Sequence, residues 1–275
     1  MNPFRASAPL TERWNSFRFD VADGVATVTF DRPEKLNAVT FDVYADLRDL
    51  VAELPRRGDA RVVVITGEGR GFCSGGDVTE IIGELQSADV RELLDFTRMT
   101  GAVVRGIRDC PLPFIASVNG VAAGAGAVIA LACDLRLLAR SAKFAFLFTR
   151  VGLAGADMGS AYLLPRIVGL GRASELLLLG DSVDAARAVE IGLASEAVDD
   201  GELAQRSRAV AERLAAGPAL AHEATKLLLS REQDTDLAGA IELEAVTQAL
   251  MMKSADHREF YDAFTAGRDP SWSGR

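Results

Sequence analysis

Alternating apolar and polar positions run through residues 17–21 and again through 25–30, with Asp23-Gly24 between them, a dipeptide suited to a two-residue hairpin turn. The pattern lapses over Asp31-Arg32-Pro33-Glu34-Lys35-Leu36-Asn37-Ala38, a polar loop that Pro33 keeps extended. From 41 to 54 the spacing becomes helical, with Phe41, Tyr44, Leu47, Val51 and Leu54 on one face, and Pro55 is expected to end the helix. The β-branched run Val62-Val63-Val64-Ile65 predicts a buried strand over 61–66. An amphipathic helix over 90–107 is closed by Pro111 and Pro113, and a short buried strand over 114–118 follows. Residues 127–133 read as a buried apolar helix, and 134–138 and 143–146 as strands. After Glu202 helices dominate, over 203–215, 218–229, 237–252 and 255–266, with Pro218 suited to a first turn.

Strands alternating with helices in this way predict an α/β fold built from crossover units. No short-period repeat is present, which excludes a solenoid of the leucine-rich kind. The expected organisation is a flexible arm over 1–15, a core over 16–201 and a helical region over 202–275. That last region has little strand character and is suited to packing on another subunit.

Two glycine-rich turns, each directly after a predicted buried strand, carry the candidate chemistry. The first is Gly67-Glu68-Gly69-Arg70-Gly71-Phe72-Cys73-Ser74-Gly75-Gly76-Asp77, in which Asp77 is placed to open a helix. The second is Asn119-Gly120-Val121-Ala122-Ala123-Gly124-Ala125-Gly126. Without Cβ atoms in the way, backbone N–H groups can approach a ligand closely, and a helix N-terminus aims further N–H groups at negative charge. A dinucleotide loop would need a third glycine where Phe72 stands, and a phosphate-binding loop would need a lysine that is missing. The remaining readings are half of an oxyanion hole or a plain strand-to-helix turn.

Composition narrows the chemistry. The net charge is −9 and no basic run is present, so nucleic acid is not an expected partner. Three cysteines, Cys73, Cys110 and Cys133, lack framework spacing, which predicts reduced thiols and a cytoplasmic location. Neither a secretory signal nor a membrane-spanning apolar segment is expected, so neither is a membrane partner. With only two histidines, both in the C-terminal helical region, a histidine-dependent nucleophile or a histidine-rich metal site is disfavoured. Chemistry then falls to carboxylates and backbone donors.

Taken together, Arg32-Pro33-Glu34-Lys35-Leu36-Asn37-Ala38, the two glycine turns, Ala132-Cys133-Asp134-Leu135-Arg136 and Leu163-Leu164-Pro165-Arg166-Ile167-Val168-Gly169 resemble the crotonase superfamily, the enoyl-CoA hydratase/isomerase family. The resemblance spans most of the chain. It implies a spiral of β-β-α units, a C-terminal region for trimerisation, and assembly as a homotrimer or a dimer of trimers. It also implies an acyl-CoA substrate, with coenzyme A entering only as part of that substrate and no separate cofactor or metal. By motif, the thioester oxygen would lie between the N–H groups of Gly76 and Ala125. Lys35, Leu36, Asn37, Ser74, Gly75, Asp77, Gly124 and Phe148 would line the coenzyme A and acyl positions. Asp77 also has a plain role as a helix N-cap, and Cys73 as a packing residue.

One departure changes the expected reaction. The glutamates that hydratases of this family use would align with Val128 and Phe148, and neither is an acid. Asp157 is the acid remaining in the matched segment, either as an acid/base whose apolar surroundings raise its pKa or as a cap for the helix that follows. Tyr162 and Arg150 are secondary candidates. The chain is therefore expected to isomerise a double bond rather than add water. The same enolate chemistry also allows carbon–carbon bond closure or cleavage, and the alternative from another class is a catalytically inactive homologue that binds acyl-CoA or serves in assembly.

Overall fold

The computed structural model describes residues 9–275, so positions 1–8 of the expected arm lie outside the described residues. Within the rest of that arm, Thr11 donates through its backbone N–H and its hydroxyl to Glu53, and Trp14 stacks on Phe17 at 5.9 Å. This stretch is tied to the core.

Strands β1 (Arg18–Ala22) and β2 (Val25–Phe30) pair antiparallel across Asp23 and Gly24, which have φ of 52° and 77°. Positive φ at both central residues is the turn that matches strand twist. Helix α1 (Phe41–Arg57) is capped by Thr40, and it continues through Pro55 instead of stopping there. Proline is most costly in a helix interior; here it falls in the last turn, where Arg56 and Arg57 pair with Glu53 at 3.3 and 2.8 Å and Gly58 closes the helix.

Three units then repeat one plan. Strand β3 (Val62–Gly67) leads to β4 (Gly71–Cys73), a π-helical turn over Val78–Gly83 and α2 (Val90–Asp109). Strand β5 (Phe114–Val118) leads to β6 (Val121–Ala123) and α3 (Ala125–Ala132). Strand β7 (Leu135–Ala139) leads to β8 (Lys143–Ala145), then α4 (Ser160–Val168) and α5 (Leu170–Leu179). The first strand of each unit joins one sheet, ordered β1-β2-β3-β5-β7-β10, and the second joins a smaller sheet, ordered β4-β6-β8-β9. Between them β9 (Ser182–Asp184), α6 (Ala185–Glu190) and β10 (Glu196–Val198) complete both sheets. All pairings are parallel except β1–β2 and β8–β9. Strand β5 is buried along its whole length, as a parallel strand covered on both faces must be.

The C-terminal helices are α7 (Leu203–Ala215), α8 (Ala219–Arg231), α9 (Leu237–Met251) and α10 (Ala255–Ala266), with Pro218 as the N-cap of α8, one residue ahead of its first turn. The first of these belongs to the core rather than to a separate region. Leu203, Ala211 and Ala215 are buried, and Ser207 on α7 and Ser117 on β5 share a buried hydroxyl hydrogen bond of 2.8 Å. Helix α8 is tied in by Lys226, whose Nζ donates to the carbonyls of Ile107 and Leu112 and pairs with Asp134 at 2.9 Å. By contrast α9 buries none of its residues, and Leu237, Ile241, Val246 and Leu250 are each more than half exposed. No helix among the described residues is long and apolar enough to cross a membrane.

Candidate functional site

The two glycine turns meet. Because β4 and β6 are neighbours in the smaller sheet, the chain leaving β4 at Ser74–Asp77 runs beside the chain leaving β6 at Gly124. A Cβ added to Gly75 would stand 3.1 Å from the Ala123 carbonyl oxygen and 3.7 Å from the Ala125 nitrogen, and Gly75 has φ +104°. Only glycine combines that closeness with that backbone conformation.

The same geometry leaves two donors unspent. Val39 docks against the first turn by donating to the Gly75 carbonyl and accepting from the Asp77 N–H, each at 2.9 Å. The Gly76 N–H lies between those two bonds and has no acceptor among the described residues. Ala125 is the first residue of α3, and its N–H likewise has none. Gly124, with φ +50°, spends its own N–H on the Ala145 carbonyl at 2.8 Å. Such a pair of preorganised donors is suited to an oxygen on which negative charge develops.

The polar loop after β2 is bound to the first turn. Leu36 and Asn37 both have left-handed φ, 49° and 57°, and the Asn37 side chain holds that conformation. It accepts from Arg32 N (2.9 Å) and donates to the carbonyls of Glu68 (2.9 Å) and Gly71 (2.7 Å). Asn37 therefore shapes the loop, with its side-chain amide already engaged. Ser74 N donates to Leu36 O and Ser74 Oγ to Lys35 O, while Lys35 itself is exposed. Asp77 is the N-cap of the Val78–Gly83 turn, accepting from Thr79 N and Glu80 N. Those N–H groups, the Glu80 one foremost, hold its carboxyl below the usual range, helped by Lys35 and by Arg32, whose guanidinium lies 3.3 Å away.

Asp157 does not cap α4. The N-cap is Gly159, without a side-chain bond, and only the Asp157 backbone takes part, exchanging hydrogen bonds with Ser160. Its Oδ1 accepts from Met158 N at 2.8 Å, and no described residue donates to Oδ2. Burial raises its pKa, the Met158 N–H only partly opposing that. Met158 has φ +51°, an unusual conformation for a residue with a long side chain, and it is buried. A partly buried carboxylate with one unpaired oxygen can accept and return a proton.

Tyr44 on α1 and Cys73 on β4 are both buried. Cys73 is fully buried and its thiol is pushed up to about 12, which makes it a packing group rather than a nucleophile. Tyr44 was legible only as one position of an apolar helix face; that it carries the face's one hydroxyl was the signal available. Burial, then the neighbouring Cys73 and Asp157, raise the pKa of its phenol. Val128 is fully buried in α3 and Phe148 is buried in the turn after β8. The secondary candidates are engaged elsewhere. Tyr162 donates to Asp234 at 2.5 Å beneath the Arg166 guanidinium, and Arg150 is an exposed partner of Asp181 at 3.7 Å.

A spiral in which each unit feeds a strand to two sheets in turn, with a C-terminal helical region, is the crotonase fold. The sequence profile of the enoyl-CoA hydratase/isomerase family matches residues 20–275, and the chain belongs to that family, enzymes acting on acyl-CoA. A "probable enoyl-CoA hydratase" of Rhodobacter capsulatus is 39% identical over 95% of this chain and 99% of its own. The 1,2-epoxyphenylacetyl-CoA isomerase of Escherichia coli is 37% identical over 93% of this chain and 97% of its own. The crystal structure of a candidate enoyl-CoA hydratase from Streptomyces coelicolor A3(2) superposes with a TM-score of 0.97 at 60% identity, covering 100% of both chains.

Proposed function

We propose that the protein isomerises the double bond of an enoyl-CoA thioester, with Asp157 as the single acid/base. The carrying observation is the unpaired Oδ2 of a carboxylate whose pKa burial raises; the family resemblance aligns the hydratase glutamates with Val128 and Phe148, neither of them an acid. In this reading Asp157 takes a proton from the acyl chain, the resulting enolate oxygen rests between the Gly76 and Ala125 N–H groups, and the same proton is returned at another carbon. Atoms and charge balance without activated water. Coenzyme A is needed only as part of the substrate, held against the loop of Lys35, Leu36 and Asn37 and the turn from Ser74 to Asp77.

The test is a set of enoyl-CoA thioesters followed by chromatography and mass spectrometry. A 3-enoyl-CoA is expected to become its 2-enoyl isomer at unchanged mass, with little water added to crotonyl-CoA. Predominant gain of one water overturns the reading. Tight binding of every thioester without turnover would instead mark the inactive homologue.

We also propose that the protein works as a homotrimer or dimer of trimers. Helix α9 exposes Leu237 and Ile241 on one side and Val246 and Leu250 on the opposite side, apolar surface that in water favours association. Light scattering at micromolar concentration is expected to give three or six chains. Charging both sides of α9 with Ile241→Glu and Val246→Glu should reduce that mass; a monomeric wild type would refute assembly.

A further inference from the structure

Arg32 stands at the head of a chain of hydrogen bonds that ends on the Gly76 N–H. Its backbone is fixed first: the N–H donates to Asn37 Oδ1 at 2.9 Å, and the carbonyl accepts from Lys35 N at 3.0 Å and Asn37 N at 2.9 Å. From that anchor Nη1 donates to the Ala38 carbonyl at 3.0 Å. The N–H of that same peptide group, on Val39, donates to the Gly75 carbonyl at 2.9 Å. The N–H that shares a peptide group with the Gly75 carbonyl belongs to Gly76 and has no acceptor among the described residues. No described peptide bond is cis, so in each group the N–H points away from its carbonyl. A pair of peptide dipoles therefore lies head to tail between a permanent positive charge and the open donor.

The other guanidinium nitrogen grips the far side of the same turn. Nη2 donates to Glu80 Oε1 at 2.6 Å and lies 3.3 Å from Asp77 Oδ2, an enclosed oxygen that accepts no hydrogen bond. Asp77 follows Gly76, and its N–H donates to the Val39 carbonyl at 2.9 Å. One planar group thus holds Ala38, just before Val39, and Asp77, just after Gly76. A lysine carries its charge on one nitrogen and cannot reproduce that fork. Resting on the acyl-CoA reading above, we propose that Arg32 is a positioning residue that aims the Gly76 N–H at the thioester oxygen and polarises it through the Ala38–Val39 and Gly75–Gly76 peptide groups. Hydrogen bonds in series strengthen one another, and a fixed donor counts most where charge develops. The pair with Glu80 would not by itself give Arg32 this part, because that carboxylate is half exposed and exposed pairs contribute little.

The experiment binds butyryl-CoA, isotope-labelled at the thioester carbonyl carbon, to wild type, Arg32→Lys, Arg32→Met and Glu80→Gln, and reads the carbonyl resonance by NMR. In the wild type the resonance is expected to move downfield on binding, as the donors draw charge onto the oxygen. Both Arg32 variants should keep only about half of that movement, and kcat on an enoyl-CoA that the wild type converts should fall about tenfold while KM stays within about threefold. Glu80→Gln should keep the full movement, because the Nη1 branch is untouched. Arg32→Lys leaves a cation beside Asp77 and should melt close to the wild type, which separates the aim of the donor from the stability of the turn. Full movement retained in Arg32→Lys overturns the proposal and leaves Arg32 as a counter-ion of Asp77. Equal loss of the movement in Glu80→Gln overturns it as well. A wild type that binds butyryl-CoA without any movement would remove the oxyanion reading, and one that binds no thioester would remove the acyl-CoA reading; the proposal falls with either.

Discussion

Asp157→Asn is expected to lower turnover by about 10²-fold or more, the range for losing a general acid/base, without weakening thioester binding. The proposed oxyanion donors are the unspent backbone N–H groups of Gly76 and Ala125, which the substitution leaves in place. Asparagine can still accept from Met158 N, the one hydrogen bond the carboxylate makes. Stability should respond in the opposite direction to activity. Burial raises the Asp157 pKa in the folded chain, so the folded state holds the proton more tightly than the unfolded state. The associated stability is fully present below the unfolded value of about 4 and is lost as pH rises through the higher folded value. At pH 7 the wild type therefore bears the cost of a partly buried charge that asparagine does not. Asp157→Asn should melt at or above the wild-type temperature at pH 7, with the difference closing on acidification. Turnover should show the same group, its acidic limb lying above the ordinary carboxylate value of about 4. Retention of near-full turnover by Asp157→Asn would remove Asp157 from the chemistry.

Gly126→Ala is expected to destabilise the fold by about 3 kcal/mol or more, a fall of roughly 6 °C or more in melting temperature. On an exposed helix the same change stabilises by about 1 kcal/mol, because alanine is the better helix former. Here the added Cβ would stand 2.1 Å from the Cys73 carbonyl oxygen and 2.7 Å from the Cys73 Cβ. Both belong to β4, which is paired in the smaller sheet and cannot retreat without moving the Gly75–Gly76 turn. Steric exclusion outweighs propensity, and acyl-CoA binding should fall together with stability. An unchanged melting temperature would show that α3 and β4 can separate cheaply, against the close packing that holds the two donors in place.

Long elements were legible because their periodicity is a consequence of burial on one face. The hairpin, α1, α2 and the first turns of the core all follow from spacing that any water-soluble chain must respect. The three-residue strands β4, β6 and β9 are too short to show a period, and the first two lie inside segments that read as glycine turns, whereas the equally short β8 was legible as a strand over 143–146. The continuation of α1 through Pro55 escaped for a related reason: proline's cost depends on where in the helix it falls, and the end of α1 is set beyond Pro55, at the left-handed Gly58.

The site divides along the same line. Glycine at Gly75, Gly76 and Gly124, and the missing acids at Val128 and Phe148, are matters of residue identity and are present in the sequence by itself. So is Asp157, as the acid of its segment. Whether Asp157 is a cap or an open carboxylate depends on where the α4 N-cap falls, and the structure puts it at Gly159. Which N–H groups remain without an acceptor depends on Val39 taking the bonds on either side of Gly76, a pairing between residues far apart in sequence. Tyr44 shows the limit most clearly: spacing alone made it core, and its enclosed ring is core. Only the tertiary structure decides that its hydroxyl is left unpaired, because hydrogen-bond satisfaction is a property of three-dimensional neighbours and has no period along the chain.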